Sequence, residues 1–343
     1  MTVRVGINGF GRIGRSFTRA LLARGEDAGV ELVAVNDPFG DSHTMAFLLA
    51  HDSVGGPLPN EVKETAGGFS IDGKEIKKLE EKDPAAIPWG GNGVDVVIES
   101  TGLFTAREKA AGHLEGGAKR VVISAPSGDA DAMICMGVND DVFDPEAHTV
   151  VSNASCTTNC LAPMVKVLHQ QFGIEQGLIN TVHAYTTDQQ LQDQATATRS
   201  GKPDLRRMRA ANLSIIPNTT GAARAIGVVI PELKGRLDGM SLRVPVPVGS
   251  ITDFVANLAQ DVTVDDVNAA FATAAADASY RGVLEYSDEP LVSADIVGNP
   301  SSCIFSAKDT MVMGRMVKVL GWYDNEWGYS NRLIDLVEFI GAQ

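Results

Sequence analysis

The segment Gly9-Phe10-Gly11-Arg12-Ile13-Gly14 restricts this 343-residue chain more than any other stretch. It is a G-x-G-x-x-G loop. It follows a short apolar run, Val3–Asn8, and opens a helical pattern from Arg12 to about Ala23. A second strand-like run, Glu31–Asn36, is followed at once by an acid, Asp37, 23 positions after the last glycine. Strand, glycine loop, helix, strand and acid in that order describe a dinucleotide-binding unit. Gly9 allows the tight turn, Gly11 lets backbone approach a pyrophosphate, and Gly14 permits close helix–strand packing. The helix start offers free N–H groups to the anion. Asp37 can accept hydrogen bonds from ribose hydroxyls and would repel a 2′-phosphate, which favours NAD over NADP. Pro38 beside it has no hydroxyl for such a phosphate. The plainer reading is a glycine-rich turn with Asp37 capping a loop, and it leaves the rest of the arrangement unexplained.

The first half continues as alternating strands and helices. Ser42–Ala50 is expected as a short helix with Ser42 as its N-cap. Phe69–Ile76 contains Asp72-Gly73, which supplies the positive φ angles of a tight hairpin. Val94–Ser100 and Arg120–Ser124 are β-branched runs without alternation, as in parallel strands covered on both faces. The prediction is a Rossmann-type, doubly wound α/β domain over residues 1–155. Near residue 150 the texture changes. Thr149–Ser152 reads as a strand and Cys156–Gln171 as a long helix. Gly239–Val248 and Ile251–Ala259 alternate like half-exposed strands, Val264–Ala276 reads as a helix, and Met316–Tyr323 as a strand. A second, α+β domain with a mixed sheet and helices on one face is expected over residues 156–325. The C-terminal helix, within 326–343, is expected to return to the first domain through Leu333, Leu336, Val337 and Ile340. Residues 187–212 are polar, locally basic and poorly periodic, the texture of a long functional loop.

Charge excludes one class of function. With 43 acidic against 29 basic residues, the net charge is −14. That argues against a nucleic-acid-binding surface spread over the protein, which needs clustered Lys and Arg. The four cysteines, at 135, 156, 160 and 303, do not form a disulfide framework in a chain this long. No Cys/His cluster has metal-ligand spacing, so no metal is expected. No run of 18 apolar residues exists, so no membrane span is expected. The N-terminus enters a strand at once, without the pattern of a signal or transit peptide, and cytoplasm is the expected location.

Cys156 stands where a strand gives way to a helix, in Ser155-Cys156-Thr157-Thr158-Asn159-Cys160. The positive end of a helix dipole there lowers a thiol pKa and enriches the reactive thiolate. Cys160, one turn on, should lie deeper and be inert. A free cysteine is also commonly a buried small hydrophobe, and spacing does not decide between the two readings. Among the six histidines, His183 ends an apolar strand just before the long polar loop, a place where catalytic groups collect. A satisfied structural histidine is equally compatible with that position. His113, His148 and His169 read as solvated surface residues.

Several blocks then occur in a telling order: Gly6-Ile7-Asn8-Gly9-Phe10-Gly11-Arg12-Ile13-Gly14-Arg15, the Ser155–Cys160 block, Thr219-Thr220-Gly221-Ala222-Ala223, Leu242-Arg243-Val244-Pro245, and Trp322-Tyr323-Asp324-Asn325-Glu326-Trp327-Gly328-Tyr329. Over essentially its whole length the chain resembles phosphorylating glyceraldehyde-3-phosphate dehydrogenases. The resemblance implies a cysteine nucleophile at Cys156 and a base at His183. It implies a substrate-phosphate site at Thr186, Asp188 and Arg243. An inorganic-phosphate site would lie at Ser155, Thr157, Thr220 and Gly221, joined by Arg207. It implies NAD as cofactor, along Gly9, Gly11, Arg12, Ile13, Gly14 and Asp37, with Lys82, Thr101, Gly102, Ser124, Asn325 and Tyr329. A phosphorylated aldehyde and inorganic phosphate would be the small-molecule partners of a homotetramer. The chain departs from the family in the loop from Asp188 to Arg207, which is several residues longer, with Ala195–Lys202 as the insert. Two other readings are a relative acting on another phosphorylated aldehyde, such as erythrose 4-phosphate, and a dinucleotide-binding protein that no longer catalyses. The complete phosphate set argues against the first. Intact Cys156, His183 and Arg243 argue against the second.

Overall fold

The computed structural model describes residues 2–195 and 203–343. The expected loop insert therefore lies, from residue 196 on, outside the described residues. The chain divides into two compact units. The first comprises residues 1–136, 140–154 and 330–343, and the second residues 137–139 and 155–329.

The first unit is built on a nine-stranded sheet. Its strands are β1 (Val3–Asn8), β2 (Val30–Asn36), β3 (Val62–Thr65), β4 (Gly68–Ile71), β5 (Lys74–Leu79), β6 (Val96–Glu99), β7 (Arg120–Ile123), β8 (Ala132–Met133) and β9 (Val150–Ser152). Their order is β8-β9-β7-β6-β1-β2-β5-β4-β3. Pairing is parallel from β8 to β5, and β5, β4 and β3 form an antiparallel meander. The chain leaves β1 for β2 on one side and later returns through β6 on the other. The C-terminal end of β1 is thus a topological switch point, where open α/β sheets bind ligands. The expected hairpin closes with Asp72 at φ 48° and Gly73 at φ 81°. α1 (Arg12–Arg24) follows the glycine loop, and α2 (Ser42–Ala50) follows β2. The cap of α2 differs from expectation. Asp41, in extended conformation, accepts the Thr44 N–H at 2.7 Å, and Ser42 is already the first helical residue.

The second unit carries α3 (Cys156–Phe172), β10 (Ile174–Ala184), β11 (Ile216–Thr219), α4 (Ala222–Val229), β12 (Leu237–Val244), β13 (Ser250–Leu258), α5 (Val264–Ala276), β14 (Leu284–Ser287), β15 (Cys303–Ser306), β16 (Met311–Met313) and β17 (Met316–Tyr323). The sheet order is β11-β12-β10-β13-β17-β15-β14, with β16 on β17. β10 runs parallel to β12 and β14 to β15, whereas the other pairs are antiparallel, so the sheet is mixed. α3 buries Leu161, Met164, Val165 and Leu168 against β13, β15 and β17. Phe271 of α5 stacks on Phe305 of β15 at 3.8 Å. The last helix, α6 (Trp327–Gly341), belongs to the first unit from Ser330 on, where Leu333, Leu336, Val337 and Ile340 are buried. Arg24 of α1 donates to Asp335 at 2.6 Å, and Arg120 to the Ile340 carbonyl at 2.6 Å. Among the described residues no helix is long and apolar enough to cross a membrane.

Candidate active site

The glycine loop of the first unit has the geometry its residue types demand. Gly9 sits at φ 91°, and a Cβ there would lie 2.7 Å from the Thr101 nitrogen. A Cβ on Gly14 would meet the Gly9 carbonyl oxygen at 2.6 Å, whereas one on Gly11 would meet none of the described residues within 4 Å. The open side of Gly11 leaves room for a pyrophosphate to approach the protein backbone. Gly11 is also the N-cap of α1 and supplies no side-chain acceptor to the helix N–H groups. Asp37 accepts the N–H groups of Phe10 and Phe39, each at 2.9 Å, so the acid also fixes the loop. Arg12 pairs with Asp52. Burial pushes the Asp52 carboxyl up, but the N–H groups of Gly55 and Val54 and the Arg12 guanidinium outweigh it and hold the pKa at about 2. Ile13 and Ser124 are half-buried, Lys82 is exposed, and Gly102 takes φ 68°. These residues fit a dinucleotide: a cradle closed to side chains at Gly9 and Gly14, open at Gly11, with an acid fixed beside it.

Beneath the loop lies a polar cluster that sequence reading missed. Glu99 is buried and accepts from Asn8 at 2.6 Å and from the Thr101 N–H at 2.9 Å. His113 was expected in solvent; it is fully buried instead, with Nε2 3.0 Å from Glu99. Trp89 Nε1–H donates to His113 Nδ1 at 3.0 Å, which leaves Nε2 to carry the proton toward Glu99. Asn36 donates to Asn8 at 2.7 Å and anchors Glu81, next to Lys82. The one available signal was the charge of Glu99 at the end of an otherwise apolar strand. His148 and His169 are likewise only half-exposed, each accepting a backbone N–H, from Asp144 and Ile174 respectively.

In the second unit, Ser155 caps α3: its hydroxyl accepts the Thr158 N–H at 3.1 Å. Cys156 is therefore the first helical residue, its N–H among those that no helical carbonyl can reach. Its Sγ lies 3.4 Å from His183 Nε2. Cys160 is buried, with Sγ 3.4 Å from the Gly321 carbonyl. His183, on β10, is in register with Arg243 on the parallel strand β12, which brings the two side chains to one face. His183 Nδ1 is 2.7 Å from the Ala184 carbonyl and 2.9 Å from Arg243 Nη1. Tyr323 was not anticipated. Its ring meets His183 edge-on at 5.9 Å, and its hydroxyl joins Thr157 at 2.9 Å and Thr181 at 2.8 Å. The alternation of β17 toward the helices could have pointed to it.

Protonation in this site departs from the expectation for a helix-start cysteine. Burial pushes the Cys156 thiol up, against the pull of Arg243 and of the Thr157 N–H. Burial and then Arg243 push His183 down. A helix terminus contributes about 0.3–1 kcal/mol, less than the desolvation of a buried thiolate.

The remaining site residues form two groups. Arg243 Nη1 donates to the Ala184 carbonyl at 2.9 Å and to the Thr186 hydroxyl at 3.1 Å, and that hydroxyl donates in turn to Asp188. Thr186, Asp188 and Arg243 thus come together. Arg207 pairs with Asp188 and lies 3.4 Å from the Asn218 side chain. It joins the Thr186–Asp188–Arg243 group, not the one expected for it, because its fork reaches back across the loop to the carboxylate. Thr220 accepts the Ala222 N–H at 3.2 Å, and Gly221 is the N-cap of α4 with open space at its Cβ position. The Ser155 hydroxyl serves as a helix cap, and the Thr157 hydroxyl is tied to Tyr323. Asn325 is buried and accepts from Ser250 Oγ at 2.9 Å and from the Gly249 N–H at 3.3 Å. Tyr329 is buried near the start of α6.

Comparison with known proteins gives a consistent picture. Residues 3–107 match the family description "Glyceraldehyde 3-phosphate dehydrogenase, NAD binding domain", and residues 155–325 match "Glyceraldehyde 3-phosphate dehydrogenase, C-terminal domain". The chain is 57% identical to glyceraldehyde-3-phosphate dehydrogenase 1 of Streptomyces avermitilis over 341 residues, 99% of both chains. It is 57% identical to glyceraldehyde-3-phosphate dehydrogenase of Streptomyces coelicolor over the full length of both. It is 56% identical to the enzyme of that name from Mycobacterium leprae, over 99% of both chains.

Proposed function

This chain belongs to the glyceraldehyde-3-phosphate dehydrogenase family, and on that premise we propose how its residues carry out the reaction. The activity is NAD-dependent oxidation and phosphorylation of D-glyceraldehyde 3-phosphate to 1,3-bisphosphoglycerate. The observation that supports the residue assignment best is the 3.4 Å approach of Cys156 Sγ to His183 Nε2 at the start of α3.

Cys156 Sγ attacks the aldehyde carbon as His183 takes the thiol proton at Nε2 and passes it to the new hydroxyl oxygen. The product is a thiohemiacetal on sulfur. The Cys156 N–H and the imidazole stabilise the charge that develops on oxygen. NAD, held by Gly9, Gly11, Arg12, Ile13, Gly14 and Asp37 with Lys82, Thr101, Gly102, Ser124, Asn325 and Tyr329, supplies the hydride acceptor. His183 takes the hydroxyl proton as the thiohemiacetal is oxidised to a thioester. Inorganic phosphate then attacks the thioester carbon, expels the sulfur and leaves as the acyl phosphate. Arg243 and Thr186 anchor the substrate phosphate, with Asp188 orienting the Thr186 hydroxyl and Arg207 bracing Asp188. The N-termini of α3 and α4, at Ser155, Thr157, Thr220 and Gly221, receive the attacking phosphate.

We further read the enzyme as a cytoplasmic homotetramer. Leu178, Met240 and Met316 are exposed on the sheet face of the second unit opposite its helices, an apolar surface suited to another copy. A steady-state assay comparing NAD with NADP, with and without phosphate, tests the activity. The expected result is NAD preference and phosphate-dependent NADH formation with glyceraldehyde 3-phosphate. Phosphate-independent turnover, or faster turnover with erythrose 4-phosphate, would overturn it.

A further inference from the structure

Three parallel strands of the first unit end on a polar row. Asn36, Asn8 and Glu99 are register partners at the last rungs of β2, β1 and β6, so their side chains fall on one face. All three are buried. Apolar residues there would fold as well, since burying polar groups costs free energy that pairing only offsets. The direction of every bond in the row is fixed from its two ends. At one end the Glu81 N–H donates to Asn36 Oδ1 at 2.8 Å, and the Glu81 carbonyl accepts from Asn36 Nδ2 at 2.8 Å. Asn36 Nδ2 also donates to Asn8 Oδ1 at 2.7 Å, which turns Asn8 Nδ2 on Glu99. At the other end, Trp89 Nε1–H can only donate, so His113 Nδ1 is bare and its Nε2–H faces Glu99. Among the described residues, Asn8 Nδ2 and His113 Nε2 meet one oxygen of Glu99, and the Thr101 N–H and hydroxyl meet the other. All of these are donors. A carboxylate accepts at both oxygens, an amide at only one.

We propose that Glu99 is a positioning residue for the cofactor, the buried acceptor that sets the spacing of the three loops around NAD. The inference rests on the reading of the glycine loop, Lys82 and Thr101 as NAD residues, and adds what holds them at their distances. Thr101, tied to Glu99, backs onto Gly9: its nitrogen lies 2.7 Å from the place of a Gly9 Cβ. Ser100 Oγ beside it donates to the Gly9 carbonyl at 2.6 Å. Asn36 holds Glu81, the neighbour of Lys82, through both backbone groups. The loops after β1, β5 and β6 are thereby joined to one carboxylate, which acts through Thr101 and Asn8. A donor in place of either Glu99 oxygen would set two donors face to face, and the strand ends would part to relieve them. The gap that the adenosine and pyrophosphate enter would widen, and the cofactor would bind more weakly.

The test is calorimetry on the full-length enzyme with NAD and with ADP-ribose, which lacks the nicotinamide. Glu99→Gln puts a donor where an acceptor is needed, and Asn8→Asp sets a second acceptor against the first. Each should weaken both ligands by about tenfold or more. Together the two substitutions restore the match. The new amide donates to the new carboxylate and its oxygen keeps both Thr101 donors. His113 Nε2, 3.5 Å from Asn8 Nδ2, turns to the new carboxylate. The double variant should recover NAD affinity to within about threefold of wild type. Circular dichroism shows which variants fold. If one of them does not, Asn36→Ala cuts the tie to Glu81, leaves Glu99 its donors and should itself weaken ADP-ribose; wild-type binding there would refute the proposal. Glycerol 3-phosphate, taken by the second unit, should bind every variant as it binds wild type. Its loss in step with NAD would make the row a support of the whole fold and refute the positioning role. A double variant that recovers nothing would overturn it as well. Gly11→Ala separates the proposal from the reading beneath it. If that variant loses NAD affinity while folded Glu99→Gln does not, the loop assignment stands and the positioning role falls; if neither loses it, both fall.

Discussion

Gly11 and Gly14 lie three residues apart in one loop and should fail differently when given a methyl group. Gly14→Ala drives a Cβ to within 2.6 Å of the Gly9 carbonyl, so the loop must shift. That variant should lose both thermal stability and NAD affinity. Gly11→Ala meets open space at an ordinary backbone angle, φ −76°. It should melt like wild type and bind NAD more weakly; calorimetry with NAD and a melting curve on each variant check the pair. Asp52 makes a second prediction. Its folded carboxyl is held at about 2, below the usual value near ~3.9. A depressed acid stabilises the fold at pH values above the unfolded pKa and loses that contribution as pH falls through the folded one. Asp52→Asn should therefore unfold more easily at pH 7 by about 1–2 kcal/mol, discounted for the partial exposure of Arg12. The gap should close between about pH 4 and pH 2 in denaturant titrations. The glycine loop was legible in the sequence because Gly9 and Gly14 answer local steric demands and all three glycines lie within six residues. The upward push of burial on the Cys156 thiol was not, because desolvation depends on neighbours far away in the chain.

At the scale of elements, α3 supports the chemistry through its cap. Ser155→Ala removes the acceptor of the Thr158 N–H and should cost about 1 kcal/mol of stability, read from chemical denaturation. Periodicity placed α5 and β17 at their observed limits, since both have one face on a core and one in solvent. It misplaced the cap of α2 by one residue, because Asp41 and Ser42 are both good capping types and only backbone geometry separates them. His113 was misread for a different reason. It lies on a four-residue helix, too short for a periodic pattern, and its partners Glu99 and Trp89 come from separate segments. Tyr323, Thr157 and Thr181 converge from β17, α3 and β10 in the same non-local way.

For the molecule as a whole, the alternation of parallel-type strands was enough to predict a doubly wound sheet, and the half-exposed strands a mixed one. The register that sets His183 opposite Arg243 was beyond reach, because parallel pairing of β10 with β12 joins segments separated by about 60 residues. The apolar sheet face of the second unit makes a prediction of its own. Leu178→Asp should lower the sedimentation mass of the assembly while each chain keeps its circular dichroism. An unchanged mass would mean that this face is not buried between copies. The account turns most directly on the sulfur of residue 156. Rapid-quench mass spectrometry of the enzyme, mixed with NAD and glyceraldehyde 3-phosphate without inorganic phosphate, should find the acyl group on the Cys156 peptide. One equivalent of NADH per site should form with it, phosphate should then discharge the label, and Cys156→Ser should form neither label nor NADH. An acyl group on another residue, or continued NADH formation by the serine variant, would contradict it.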